Sequence, residues 1–161
     1  MTDTSNYLTH IPILSRLVDM TSGPILELGI GFSTVLLHAM AKQSGREVYS
    51  YENDREWHKK YFEFNTYNHH VFYIDNWDDI KVNDKHWSVA LIDHRPAMRR
   101  RVDAVRLARH ADYIILHDSE PEIDRFYRYS SIYKHFKYRY DYKKCLPNTT
   151  VLSNFKDLSS L

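Results

Sequence analysis

Five short runs rich in β-branched, aromatic and aliphatic residues recur along the chain: "PILEL" (24–28), "EVYSY" (47–51), "HVFYI" (70–74), "WSVALI" (87–92) and "DYIIL" (112–116). Strands covered on both faces read as near-continuous apolar runs, and the segments between these can hold helices. The pattern therefore predicts an α/β, parallel, doubly wound sheet. "FSTVLLHAMAKQSG" offers Ser33 as a helix cap and Gly45 as a stop, and "DREWHKKYFEFNTY" sets Trp57, Tyr61 and Phe64 near one helical stripe. In "PAMRRRVDAVRLARH", Met98, Val102, Val105 and Ala108 keep a three-to-four spacing, with Pro96 suited to the first turn. Beyond Asp118, "EIDRFYRYSSIYKHF" predicts a helix. "FKYRYDYKK" and "TTVLSNF", joined by "CLPN", then predict an antiparallel hairpin that completes seven strands. A chain of 161 residues is the size of one domain. We read it as such over 1–161: an N-terminal helical segment (1–22), the β-α repeats (23–118), and a C-terminal helix and hairpin (119–161).

With 43% apolar and 27% charged residues the composition is that of a soluble globular protein, and a formal charge of +1 gives no general electrostatic reason to bind nucleic acid or anionic membrane. The run Arg95, Arg99, Arg100, Arg101, Arg106 and Arg109 reads as a solvated helix face; Arg95 is the exception, lying beside the carboxyl edge of the sheet. The single cysteine, Cys145, excludes an internal disulfide and a Cys-only metal site; it reads as a small buried side chain in a reducing compartment. "MTDTSNYLTHIPILS" lacks a basic start followed by an apolar core, and no run is long enough to cross a bilayer, so the expected location is cytoplasmic. "NHH" at 68–70 has no third ligand at metal-like spacing and reads as a turn.

In open α/β sheets ligands lie beyond the carboxyl ends of the strands, and the first β-α turn must let backbone approach them closely. Gly29 and Gly31 in "GPILELGIGFST" permit this approach, but Thr34 stands where the dinucleotide fingerprint asks for a third glycine. Glu27, two residues before the first glycine, disfavours a phosphate and favours a cationic ligand.

"ELGIGFST" resembles the first motif, acid-x-Gly-x-Gly, of the class I S-adenosylmethionine-dependent methyltransferases. The resemblance implies a three-layer Rossmann-like fold whose seven-stranded, mostly parallel sheet ends in an antiparallel hairpin. It also implies S-adenosylmethionine as cofactor, with Gly29, Gly31 and Ser33 under its methionine part and ribose, and Glu27 holding the loop and the amino end. "EVYSYEND" ends on Glu52 about twenty residues past the glycine turn, where such folds place an acid on ribose hydroxyls. "YIDNWDD" ends the third strand. There the resemblance gives Asp75 the exocyclic amine of adenine and Asn76 or Trp77 the ring; Trp77 equally reads as a core cover.

The fourth run leads into "ALIDHRP" and the fifth into "YIILHDSE", which predicts that Asp93-His94 and His117-Asp118 face each other. This region resembles the catechol-type O-methyltransferases, whose matching strand ends hold magnesium through an acid and an Asp-Asn pair. Ser119 replaces the asparagine, so magnesium on Asp93 and Asp118 is not favoured. A metal-free site uses His117, Asp118, His94 or Asp93 as the base on an acceptor hydroxyl, with the methyl group transferred in line; Asp93 equally suits the cofactor side, as an acid near the sulfonium. Tyr127 and Tyr129 read as core or as walls of an acceptor pocket. The absence of an Asn/Asp-Pro-Pro-Tyr/Phe motif at "HDSE" favours oxygen over exocyclic nitrogen and makes nucleic acid the less favoured acceptor. So short a chain leaves little lid, which points to a large acceptor or to a second copy closing the pocket. Two rivals stay open: a nucleotide-dependent enzyme on the same sheet, and a non-catalytic cofactor-binding or regulatory module.

Overall fold

The computed structural model describes residues 8–161, so the first seven residues of the expected N-terminal segment lie outside it. The helices are α1 (Ile11–Asp19), α2 (Phe32–Ser44), α3 (Arg55–Tyr61), α4 (Arg100–Leu107) and α5 (Asp124–Tyr127). The strands are β1 (Ile25–Leu28), β2 (Val48–Glu52), β3 (His69–Tyr73), β4 (Trp87–Ile92), β5 (Ala111–His117), β6 (Tyr138–Tyr142) and β7 (Thr149–Ser153). They form one sheet in the order β3-β2-β1-β4-β5-β7-β6, parallel except where β7 pairs antiparallel with β5 and β6. The order reverses direction between β1 and β4, which is where such sheets place ligands.

Burial follows position in the sheet. Every residue of β1 and β4 is buried, whereas β6, on the edge, is mostly half-buried. Alternation along the strands divides the interior into two apolar layers. Ile25, Val48, Val89, Leu91 and Ile115 pack with Leu14 and Leu17 of α1 and Leu37 of α2. Leu26, Leu28, Ala90, Ile92 and Leu116 pack on the other face with Ala104 and Leu107 of α4, Trp77 and Tyr129.

Several local expectations need correction. Gly31, not Ser33, caps α2: its N–H donates to the Thr34 hydroxyl at 2.8 Å, freeing Ser33 to turn inward. His69 opens β3 and is fully buried, so "NHH" is only partly a turn. The helix expected over 122–136 breaks into α5 and short 3-10 turns, because Arg128 adopts a left-handed conformation (φ 53°) and Asp124 accepts from both the N–H and the hydroxyl of Ser130. That bend carries Tyr129 into the core, 1% exposed. Cys145 is half-buried in the β6–β7 turn, not enclosed.

The arginine-rich stretch is the largest departure from the expected surface. Arg100 is 5% exposed. Arg99 and Arg106 both pair with buried Asp103, and Arg106 also donates to the carbonyls of Trp77 and Ile80. This part of the helix face is an internal brace between α4 and the turn after β3; Arg95 and Arg109 remain exposed.

Candidate functional site

β1 ends at Leu28, and the chain turns at Gly29 with φ 92°. A side chain there would place its Cβ 2.6 Å from the backbone nitrogen of His94, so glycine is demanded both by conformation and by the turn packed on top of it. Gly31 differs: a Cβ built on it meets none of the described residues within 4 Å, so among these the backbone faces open space at the start of α2. Glu27 lies beneath, wholly buried, accepting from Ser33 (2.5 Å), Thr34 (2.9 Å) and Ser50 (2.5 Å). Burial pushes its pKa up to about 7 against the pull of those hydroxyls. Glu27 therefore anchors the loop but exposes no oxygen to an amino group. Its argument against phosphate also loses force, since the carboxyl is only partly charged near neutral pH.

Glu52, at the end of β2, reaches back to the same loop. Its Oε2 accepts from the Ile30 N–H (3.1 Å), and its Oε1 accepts from Asn53 and Asp54 (2.9 Å each). A carboxylate offers about four lone-pair sites; three are taken, which leaves capacity for one further hydroxyl. Trp57 clips the loop from α3 by donating to the Ile30 carbonyl. The donor set thus fits a small hydroxyl-bearing ligand lying along Gly31, held by Glu52 and backbone.

The expected adenine residues do not form one wall. Asp75 is exposed, accepting from Tyr73 and pairing with Arg55; exposed Asn76 accepts from the Asp78 N–H. Trp77 is 4% exposed, donates to the Arg95 carbonyl and packs edge-on to His94 with centroids 4.0 Å apart, so it belongs to the core.

At the ends of β4 and β5 the pairing of Ile92 with Leu116 sets Asp93 beside His117, and alternation sends this pair toward the α1 face and the next pair, His94 and Asp118, toward the α4 face. Asp93 and His117 meet as expected, Oδ1 to Nδ1 at 3.3 Å. Asp118 joins them from the other face through Arg100, which lies 2.9 Å from both Asp93 Oδ1 and Asp118 Oδ2. Tyr127 donates to Asp118 Oδ2 at 2.9 Å, and Tyr129 to the His117 carbonyl at 3.1 Å. His94 does not join. It is 1% exposed, its Nε2 bonds Asp103 at 2.7 Å, and burial lowers its pKa, which makes it a strut of the arginine brace and removes it from the candidate bases.

The cluster balances two carboxylates against one guanidinium and one imidazole. Burial works against an ionised Asp93, but the bond to His117 and the charge of Arg100 outweigh it and lower its pKa. For His117, too, burial opposes the charge, and Asp93 and Asp118 overcome it to raise its pKa. Asp118 holds φ 56°, a conformation that aspartate tolerates better than most residues and that often marks functional turns. Two residues the sequence did not single out complete the cluster: Arg100, hidden in a run of like residues, and His10, just before α1, whose ring lies 4.6 Å from that of His117. Beyond Asp118, a groove of about 470 Å³ is lined by Glu120, Ile123, Lys143, Leu146 and Asn148. Ser119 Oγ, Glu120 Oε2, Asn148 Oδ1 and Thr149 Oγ1, on the two segments joined there, are buried without partners among the described residues.

No family model matches the sequence, and no curated protein matches it. Solved structures do resemble it. The N-terminal domain of human METTL16 in complex with SAH superposes with a TM-score of 0.66 at 13% identity, covering 94% of this chain and 71% of that one. The hMettl16 catalytic domain in complex with MAT2A 3′UTR hairpin 1 gives 0.62 at 11%, covering 92% and 70%. A methyltransferase from Pyrococcus furiosus gives 0.58 at 14%, covering 89% and 83%. This chain has the class I methyltransferase fold.

Proposed function

We propose that the protein is an S-adenosylmethionine-dependent methyltransferase acting on a hydroxyl. The observation that carries this reading is the placement of two unlike sites on one sheet edge: an open glycine turn gripped by Glu52, and an acid–base cluster at the ends of β4 and β5. The fold shared with methyltransferases, one of them solved with SAH, supports it.

S-adenosylmethionine, if held at the turn by Gly29–Gly31 backbone and Glu52, would supply an activated methyl group, with sulfur keeping the electron pair of the broken bond. Backbone at 29–31 and the remaining lone pair of Glu52 orient the ribose end; Ser33, Thr34 and Ser50 keep the turn in shape through Glu27. At the acceptor side Arg100 and Tyr127 occupy Asp118 Oδ2. Oδ1, 3.6 Å from His117 Nδ1 and too far for a hydrogen bond to it, would take the proton of an acceptor hydroxyl as the oxygen becomes nucleophilic. Asp93, through His117 and Arg100, fixes the charge balance. The groove beside Asp118 is the place for the acceptor.

The neighbour bound to a hairpin favours a second reading, in which the acceptor is nucleic acid. The engagement of Arg99, Arg100 and Arg106 in internal pairs withdraws these three from a basic surface, while Arg95 and Arg109 stay exposed, and this reading ranks second.

Calorimetry tests the cofactor: SAH binds and NAD does not, and Glu52→Ala weakens SAH at least ten-fold. Binding of NAD in place of SAH would overturn the reading. Release of SAH from the methyl donor, measured with hydroxyl-bearing small molecules and with an RNA hairpin, then separates the two acceptors. Asp118→Asn should lower kcat at least a hundred-fold while leaving SAH affinity within two-fold; undiminished turnover removes Asp118 from the proposal.

A further inference from the structure

His10, Asp93 and His117 meet where the chain enters α1 and leaves β4 and β5, and each brings one ligand atom into a group whose members all lie within 4.8 Å of one another. His10 is 2% exposed, and neither of its ring nitrogens has a hydrogen-bond partner among the described residues. A buried polar group without a partner has given up its hydrogen bonds to water for nothing in return. Two on one ring leave room for a ligand that the described residues do not supply.

The geometry around His117 points the same way. Its Nε2 lies 2.9 Å from Thr9 Oγ1, and its Nδ1 lies 3.3 Å from Asp93 Oδ1. Charge-assisted N–H···O bonds run about 2.7–2.9 Å, so the second contact is long for a shared proton. It does match two ligands on one tetrahedral ion, since bonds of about 2.0–2.2 Å leave ligand atoms roughly 3.4 Å apart. Thr9 then has the role of the outer oxygen that metal-bound histidines commonly use. It accepts the other ring N–H and turns the Nδ1 lone pair toward the ion.

We propose that His10, Asp93 and His117 form a binding site for a first-row divalent transition ion of the zinc class. Two imidazoles and a carboxylate suit zinc, cobalt or iron(II); magnesium and calcium prefer all-oxygen sets. Arg100 sits 2.9 Å from the same Asp93 Oδ1, but that oxygen has two lone pairs, one for each cation. The ion and Arg100 carry three positive charges against the two negative charges of Asp93 and Asp118, which leaves a fourth position suited to an anionic oxygen. Three protein ligands with one open position is the arrangement of catalytic zinc sites, unlike closed structural ones. Binding of the ion makes Asp93 and His117 ligands and displaces any proton between them, consistent with Asp118 as the base. The site does not depend on the cofactor reading, and SAH calorimetry on the same samples separates the two.

The test uses the full chain, stripped with chelator and titrated with Co²⁺. One equivalent should bind and give the intense visible absorption of a tetrahedral site, displaced by Zn²⁺. His10→Ala and His117→Ala should each weaken uptake at least ten-fold, with circular dichroism reporting the folded state. His86→Ala, at a half-exposed histidine paired with Asp112, should leave uptake unchanged. Should His10→Ala fail to fold, Thr9→Val keeps the ligands and removes only the outer partner, with an expected loss of about 10–100-fold. Absence of stoichiometric uptake by the unmodified chain overturns the proposal. So does uptake of equal affinity in His10→Ala or in Thr9→Val.

Discussion

Gly29 and Glu27 show how much a single residue decides. At Gly29 a methyl group would force a left-handed backbone on an L side chain and press Cβ to 2.6 Å from the His94 nitrogen. Gly29→Ala should therefore cost at least about 2 kcal/mol in denaturant unfolding, whereas Gly31→Ala, facing open space, should cost much less and act on SAH binding instead. Glu27 has a folded pKa of about 7, above the 4.5 of an unfolded glutamate. The folded state then binds more protons between these values, and the stability this group contributes is lost as pH rises from about 4.5 to 7. Glu27→Gln removes that dependence, so unmodified protein should lose up to a few kcal/mol relative to the variant between pH 5 and 8; parallel thermal-melt profiles would contradict the burial effect. His10 and His69, both pushed down to about 4 by burial and then by neighbouring histidines, act oppositely, losing stability below pH 6.5. That slope is common to both chains and cancels in the comparison. Glu27, the glycines and Glu52 were legible because a motif fixes their spacing. His10 was not, because a lone histidine before a helix carries no pattern until the fold brings the ends of β4 and β5 to it.

At the scale of elements, strands and crossovers followed from apolar runs and stop signals such as Gly45, which does take the left-handed conformation at the end of α2. The arginine run and the segment after β5 did not follow, for one reason. Local pattern sees a side chain's neighbours along the chain, whereas Arg100 is held by Asp93, Asp118 and the His94 carbonyl, and Tyr129 by the apolar layer and the His117 carbonyl. Arg100→Met leaves both carboxylates without their cation and should destabilise by roughly 3–5 kcal/mol. Adding Asp118→Asn should recover part of that loss, and strictly additive costs in urea unfolding would show that the two side chains do not interact.

For the molecule as a whole, one mostly parallel sheet was predictable from the alternation of elements alone. The groove beyond Asp118 was not, since it is assembled from segments about 25 residues apart. If SAH binds between Gly31 and Glu52 in the folded chain only, SAH at a hundred times its Kd should raise stability by about 2.7 kcal/mol, read as a higher Tm. No shift at saturation would contradict a preformed site. Among the described residues no helix is long and apolar enough to cross a membrane. A final consequence comes from the buried line of Ser33, Glu27, Ser50 and His69, which runs beneath three parallel strands. Greasy strands can slide past one another at small cost, but a slip of one position would turn Ser50 to the opposite side and strand an acid in oil. The polar thread is thus a ratchet that lets β1, β2 and β3 dock in a single alignment.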